Sequence, residues 1–324
     1  MMRVVGSAKG INIHAPDDAY FSYFNSPYIG HNIGSAVDIY PHHQKWGGMI
    51  ESPISGKVVR IKKMNMGREK QFPTDDFDYA IGILPEGFEN TIVRVMHCEP
   101  TISEGEIVAL GDHIGKALRS RYFNYWTGPH YHVEIQALES FQRSSQSLPL
   151  TLKYQFKPEP VHNSLREMEL FVDLVTSDRL VGFPENLAHS TIGALSGLSA
   201  TTDDGNVVGI IDGGLSHYKI GGVIGPREPI HSKHVSLNES AVGTITESRP
   251  SVCIFTHGPC ITTYLDKTEI RGLSCFIYPR QYLKKKVPQL ILIPKSYGQF
   301  NELFTEGEVY GFRILSDNNI VKAD

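Results

Sequence analysis

Two histidines one residue apart, in Gly128-Pro129-His130-Tyr131-His132-Val133-Glu134-Ile135, form the densest concentration of reactive side chains in the chain. On a strand, residues i and i+2 point the same way. His130, His132 and Glu134 then share one face, and Tyr131, Val133 and Ile135 pack from the other into a core. Two imidazoles converging from one strand suit zinc, which accepts histidine nitrogen and carboxylate oxygen. A His-x-His pair also occurs in strands that hold no metal. Alone it decides nothing.

Two further segments carry the same chemistry. Gly30-His31-Asn32-Ile33-Gly34-Ser35-Ala36-Val37-Asp38-Ile39-Tyr40-Pro41 brings an imidazole and a carboxylate. Asp38, between Val37 and Ile39, either faces solvent from an alternating strand or is buried. If buried it needs a pairing group or a metal, because an uncompensated buried carboxylate is costly. His97 ends the run Thr91-Ile92-Val93-Arg94-Val95-Met96-His97, where alternation sets Ile92, Arg94 and Met96 on one face and Val93, Val95 and His97 on the other. By itself His97 reads as a satisfied strand-end histidine.

The elements that must position these groups are short strands. Ala36–Tyr40, Gly56–Ile61, Tyr79–Leu84, Thr91–Met96 and Val133–Ile135 are apolar or β-branched runs separated by turn signals, and no long segment shows a 3.6-residue period. That pattern predicts an all-β sandwich or barrel. Residues 62–78 are polar and charged, and read as a solvated loop or ribbon between two strands.

In this order the segments resemble the lysostaphin/LytM-type zinc metallopeptidases, over about residues 30–136. The resemblance rests on Asp38, on Ile50-Glu51-Ser52-Pro53-Ile54-Ser55-Gly56-Lys57-Val58-Val59, and on Val95-Met96-His97. It continues through Gly105-Glu106-Ile107-Val108-Ala109-Leu110-Gly111-Asp112-His113-Ile114-Gly115 and closes on Thr127-Gly128-Pro129-His130-Tyr131-His132-Val133-Glu134-Ile135, the most specific part. It implies a duplicated-hybrid-motif antiparallel β-sandwich or barrel. It also implies Zn2+ held by His31, Asp38 and His132, with His97 and His130 as catalytic residues beside an activated water. Six residues separate His31 from Asp38, where the family has three, and Gly34 stands where the family's histidine falls. Either a longer turn returns His31 to the metal, or the site is degenerate or completed by another residue such as His42 or His43. His113 reads as a surface residue.

The implied function is zinc-dependent hydrolysis of a peptide or amide bond. The alternative is a catalytically degenerate metal- or ligand-binding module. A carrier role is weaker, since Lys63-Met64 lacks the symmetrical Met-Lys-Met of a biotinylation site.

Composition limits the partners. Thirty-one Lys+Arg against 35 Asp+Glu give a net charge of −4, so nucleic acid is not expected. No apolar run reaches the length of a membrane span. The N-terminus lacks a signal-peptide core. The four cysteines, Cys98, Cys253, Cys260 and Cys275, show no Cys-x-x-Cys spacing. The expectation is a cytoplasmic protein with free thiols and a peptide-like substrate. Of the 14 histidines, eight fall before residue 133.

The length predicts two domains, divided as 1–155 and 156–324, the boundary marked by polar residues 142–147 and by Pro158-Glu159-Pro160. The second half reads as mostly β, with strands at Val207–Ile211, Ser251–Thr256 and Gln289–Ile293. Gly213-Gly214 and Gly221-Gly222 read as turns, and Asn163–Val175 as one helix. His231 and His234 read as loop residues and Lys284–Lys286 as a solvated turn. No motif in this half predicts chemistry; shaping substrate access or forming a homo-oligomer interface is its expected role.

Overall fold

The computed structural model describes residues 1–42, 45–152, 168–226, 228–238, 240–249, 251–258 and 261–315. The chain is mostly β and divides into two compact units. The first is Met1–Tyr23 with Tyr28–Leu152, and the second Phe24–Pro27 with Lys153–Asp324. The expected boundary near residue 155, the Pro158–Pro160 segment, His43 and Cys260 all lie outside the described residues.

The first unit opens with a hairpin, β1 (Met2–Ala8) and β2 (Ile11–Pro16), which the sequence patterning did not reveal. Then follow β3 (Tyr20–Ser22), a single helical turn α1 (Ile29–Asn32), β4 (Ala36–Tyr40), β5 (Met49–Glu51), β6 (Gly56–Asn65), β7 (Phe77–Pro85), β8 (Thr91–Met96), β9 (Cys98–Pro100), β10 (Ile107–Val108), β11 (His113–Ala117) and β12 (Tyr131–Ala137). Seven of these make one sheet in the order β10-β6-β7-β8-β12-β4-β3, and β5, β11 and β9 make a smaller one. Residues 62–78, read as a solvated loop or ribbon, close β6 at 62–65 and open β7 at 77–78, with residues 66–76 connecting the two. β6 and β7 run as one long antiparallel ribbon, with Asn65 opposite Phe77.

Period 2 divides the main sheet into two faces of different chemistry. Val37, Ile39, Ile81, Ile83, Val93, Val95, Tyr131, Val133 and Ile135 are fully buried on one. The other carries Asp38, Arg94, His132, Glu134 and Gln136, which are buried as well. The polar face is therefore not a solvated one. The alternative that Asp38 faces solvent is corrected, since its exposure is 0%.

The second unit contains β13 (Met168–Val175), β14 (Leu180–Pro184), β15 (His189–Ile192), β16 (Leu195–Thr202), β17 (Val207–Leu215), β18 (Ile220–Ile224), β19 (His234–Leu237), β20 (Ser240–Arg249) and β21 (Val252–Thr256), with further strands to Leu315. Six of them close a ring of antiparallel pairs, β16-β19-β20-β21-β18-β17 and back to β16. Leu198, Ala200, Ile211, Val223, Val235, Val242, Cys253 and Phe255 belong to its buried core.

Two expectations for this unit are overturned. Gly213-Gly214 and Gly221-Gly222 are strand residues, not turns. Gly221 pairs with Phe255 across the sheet, and a Cβ there would lie 2.5 Å from the Phe255 ring. Glycine makes room for the aromatic, the use strands have for it where another group approaches closely. The expected helix over 163–175 is, from Met168 onward, strand β13 paired with β14. Met168, Leu170 and Val172 are buried while Glu169, Phe171 and Asp173 are more exposed, a period of two. Its start, 163–167, lies outside the described residues.

Candidate metal centre

Cross-strand pairing assembles the site. His132 on β12 lies directly opposite Asp38 on β4, and directly opposed antiparallel side chains lie on one face within reach of each other. His132 Nδ1 is 2.9 Å from Asp38 Oδ1. His31 arrives from α1. The turn after it is closed by Gly34 N–H donating to the His31 carbonyl at 2.9 Å, and by Ser35 N–H donating to the Gly30 carbonyl at 2.7 Å. Gly34 has φ +66, a left-handed value that glycine takes without penalty and that often ends a helical turn. The six intervening residues thus end the helical turn at Asn32, reverse the chain through Ile33–Ser35 and enter β4 at Ala36. They place His31 Nε2 at 3.2 Å from Asp38 Oδ1 and 3.0 Å from His132 Nδ1.

Among the described residues, His31, Asp38 and His132 form a buried group that can hold a metal ion, with one ligand atom from each within 4.8 Å of the others. His42 is not part of that group. Tetrahedral zinc, with bonds of about 2.0–2.1 Å, separates its ligand atoms by roughly 3.3 Å. The triangle of 2.9, 3.0 and 3.2 Å is a few tenths of an ångström tighter.

The protons point the same way. His31 Nδ1–H donates to the Tyr23 carbonyl at 2.7 Å, which leaves Nε2 as the ring nitrogen turned to the cluster. His130 Nδ1–H donates to the Gly128 carbonyl at 2.9 Å, leaving Nε2 3.7 Å from Asp38 Oδ2, and neither of these inner atoms has a hydrogen-bond partner. His132 Nε2 stands 3.0 Å from Glu134 Oε1, close but off the line of a good hydrogen bond. The group is therefore rich in acceptors and poor in donors, and it requires positive charge. A metal ion or a proton supplies it. Burial disfavours a charged His132, yet Glu134 and Asp38 outweigh that and push its pKa up to about 9. Burial acts in the opposite sense on Asp38, but the neighbouring histidines hold its carboxyl well below the usual range. Burial prevails at His130, which is pushed down to about 4. His31 and Asp38 are 1% and 0% exposed and His132 6%.

Behind the group is a supporting layer. Glu134 Oε2 accepts from Arg94 Nη2 at 2.6 Å, Gln136 Nε2 at 2.6 Å and Ser147 Oγ at 3.0 Å. Such outer partners fix a ligand's ring orientation and basicity. The sequence placed Glu134 on the right face; Arg94, Gln136 and Ser147 carried no motif.

His97 departs from its expected placement. Continued alternation sets it with Val93 and Val95, but its backbone turns to φ +61. That conformation costs a non-glycine residue on the order of 1 kcal/mol. It swings the ring to the polar side, against His130 and His132 with centroids 5.6 and 5.9 Å away. There His97 Nδ1 meets Asp78 Oδ2 at 2.6 Å. Asp78 was missed by sequence reasoning because it closes a charged run with no motif around it. Tyr122, Phe123 and Trp126 wall the same space, with ring centroids 5.0, 5.3 and 5.2 Å from His97. His113 is exposed.

Fold and site define a mostly β, two-unit protein whose first unit carries a buried His–Asp–His group able to hold a metal. Residues 13–152 match the family model for the N-terminal domain of DUF8155, a domain of unknown function, and residues 184–290 match the model for its C-terminal domain. Together the two matches span most of the chain, which belongs to this family. No curated protein matches it. Two solved structures are loosely similar. The NMR solution structure of lysostaphin aligns over 74% of this chain and 94% of its own, at 15% identity and a TM-score of 0.26. The antimicrobial peptidase lysostaphin from Staphylococcus simulans aligns over 75% and 95%, at 12% identity and 0.27. Similarity at that level assigns no residue a role. Among the described residues no helix is long and apolar enough to cross a membrane.

Proposed function

We propose that the first unit is a zinc-dependent hydrolase of the lysostaphin/LytM type, cleaving a peptide or amide bond, with His31, Asp38 and His132 as metal ligands and His97 and His130 as catalytic residues. The observation that carries this reading is the convergence of three buried acceptor atoms, 2.9–3.2 Å apart, with two further imidazoles packed beside them. Zinc bound there would leave a fourth position for water and lower the pKa of that water to about 7. His130 Nε2 and His97 Nε2 can then accept a proton from the nucleophile and return it to the leaving nitrogen. The aromatic wall of Tyr122, Phe123 and Trp126 keeps bulk water from these nitrogens. The free, buried thiols of Cys98, Cys253 and Cys275 fit a reducing compartment such as the cytoplasm.

A metal-binding module without turnover is the second reading, and the burial of every donor favours it. Elemental analysis of purified protein, followed by mass spectrometry of a pool of short peptides incubated with it, separates the two. The proposal expects one zinc per chain and cleavage that a chelator abolishes. Zinc without cleavage selects the second reading, and protein that takes up no zinc defeats both.

The supporting layer gives a graded prediction. Glu134→Gln keeps the shape of the side chain but removes the charge facing His132 Nε2. Zinc affinity should fall roughly tenfold to hundredfold, read by competition with a chromophoric chelator. An unchanged affinity would remove Glu134 from the proposed centre.

A further inference from the structure

Asp78 lies on β7, 0% exposed, and its hydrogen bonds go to Tyr79, His97 and Ser120 rather than to the three proposed metal ligands. Its carboxylate receives hydrogen bonds only. Oδ1 accepts from Tyr79 N–H at 2.7 Å and from His97 N–H at 3.1 Å. Oδ2 accepts from His97 Nδ1 at 2.6 Å and from Ser120 Oγ at 2.9 Å. Four donors meet one carboxylate, which fills its accepting capacity. A hydrogen on either oxygen would point at a donor, so the four bonds are made together only when both oxygens accept and His97 Nδ1 carries the hydrogen.

The same carboxylate organises what surrounds it. Ser120 Oγ, which donates to it, also accepts Tyr122 N–H at 3.2 Å, and the Ser120 carbonyl accepts Trp126 Nε1–H at 3.1 Å. The backbone bond from His97 N–H is the one that compensates the left-handed turn at His97. Neither neutral nor short polar residues could replace this function in full, because both oxygens are used twice.

We propose that Asp78 is the positioning residue for His97. It holds the imidazole as the Nδ1–H tautomer, presents Nε2 as the proton-accepting atom, and balances the positive charge that the ring gains when it takes a proton. The catalytic consequence rests on the hydrolase reading above; the tautomer does not. An asparagine at this position would turn an NH2 group toward His97 Nδ1 and Ser120. The ring would then have to accept at Nδ1 and carry its hydrogen on Nε2, presenting a donor where the reaction needs an acceptor.

The test is Asp78→Asn in the full chain, read by nitrogen-15 NMR of the histidine side chains in metal-free protein. Wild type should show His97 as Nδ1–H, and the variant as Nε2–H. In zinc-loaded protein the variant should lose roughly 10²–10⁴ in kcat, with KM and the zinc dissociation constant little changed. A merely structural Asp78 would lower stability and zinc affinity together and leave the tautomer as it was, which overturns the proposal. If Asp78→Asn does not fold, the wild-type spectrum still decides, because Nε2–H on His97 contradicts it. If wild type hydrolyses nothing, the hydrolase reading fails while the tautomer result stands on its own.

Discussion

Asp38→Ala should reduce zinc affinity by roughly two to three powers of ten, the share of one ligand in the 10–16 kcal/mol typical of a four-ligand zinc site. The effect is expected to exceed that of Glu134→Gln because Asp38 stands within 3.2 Å of both His31 and His132. The metal-free protein should suffer too. Asp38 titrates well below the ordinary carboxylate range in the folded state, so it contributes stability above its unfolded pKa of about 4, lost as pH falls. Chelator competition reads the first effect and denaturant unfolding the second. His42→Ala is the matching control. It removes the nearby described histidine that could have completed a degenerate site, and it should leave zinc affinity unchanged. Equal loss in both variants would remove Asp38 from its proposed role.

Acid should weaken the second unit through two histidines that have no part in the metal group. Burial pushes the pKa of His217 down to about 3, and that of His257 down to about 4. His217 Nε2 lies 3.1 Å from Ser274 Oγ, and His257 Nδ1–H donates to the Val242 carbonyl at 2.7 Å. Both stay neutral in the folded protein at pH 5, whereas an unfolded histidine takes a proton below about 6.5. The unfolded state therefore binds more protons as pH falls, and stability decreases from about pH 6.5 down toward the folded values. Each histidine should cost about 2 kcal/mol between pH 7 and pH 5. Hydrogen exchange of second-unit amides across a denaturant series measures this. His257→Gln should lose about 2 kcal/mol less than wild type over the same interval. An identical pH dependence in the two would mean that His257 is not held neutral by its burial.

What could be read from the sequence follows from how each constraint is written. The strand-forming runs at Ala36–Tyr40, Thr91–Met96 and Val133–Ile135 announce themselves because a buried face imposes period two locally. His130-x-His132 is legible for the same reason. The return of His31 depends on Gly34 taking a left-handed φ, which the count of intervening residues does not disclose. His97 lies outside pattern reading, since one backbone dihedral moves it to the opposite face from the one its alternation predicts. Asp78 and Arg94 act through partners 19 and 40 residues away, and neither the charged run that Asp78 closes nor the apolar run around Arg94 discloses such a partner. Met168–Val175 misled in the other direction. Spacings of three and four between Met168, Phe171, Val172 and Val175 mimic a helix, and only Leu170, buried between Met168 and Val172, betrays the strand.

The ring of six strands in the second unit has a consequence for self-association. A sheet invites other chains where a strand presents unpaired backbone groups at an edge. Within the ring each strand already has a neighbour on both sides, so a second copy has no place there to extend the ladder. Among the described residues, a homo-oligomer built on this unit would meet through side-chain surfaces or through the two strands that end the sheet, β15 (His189–Ile192) and the short Thr268–Ile270 strand. The closure thus guards the six ring strands against fibre-like stacking and confines backbone pairing with a second copy to the ends of the sheet.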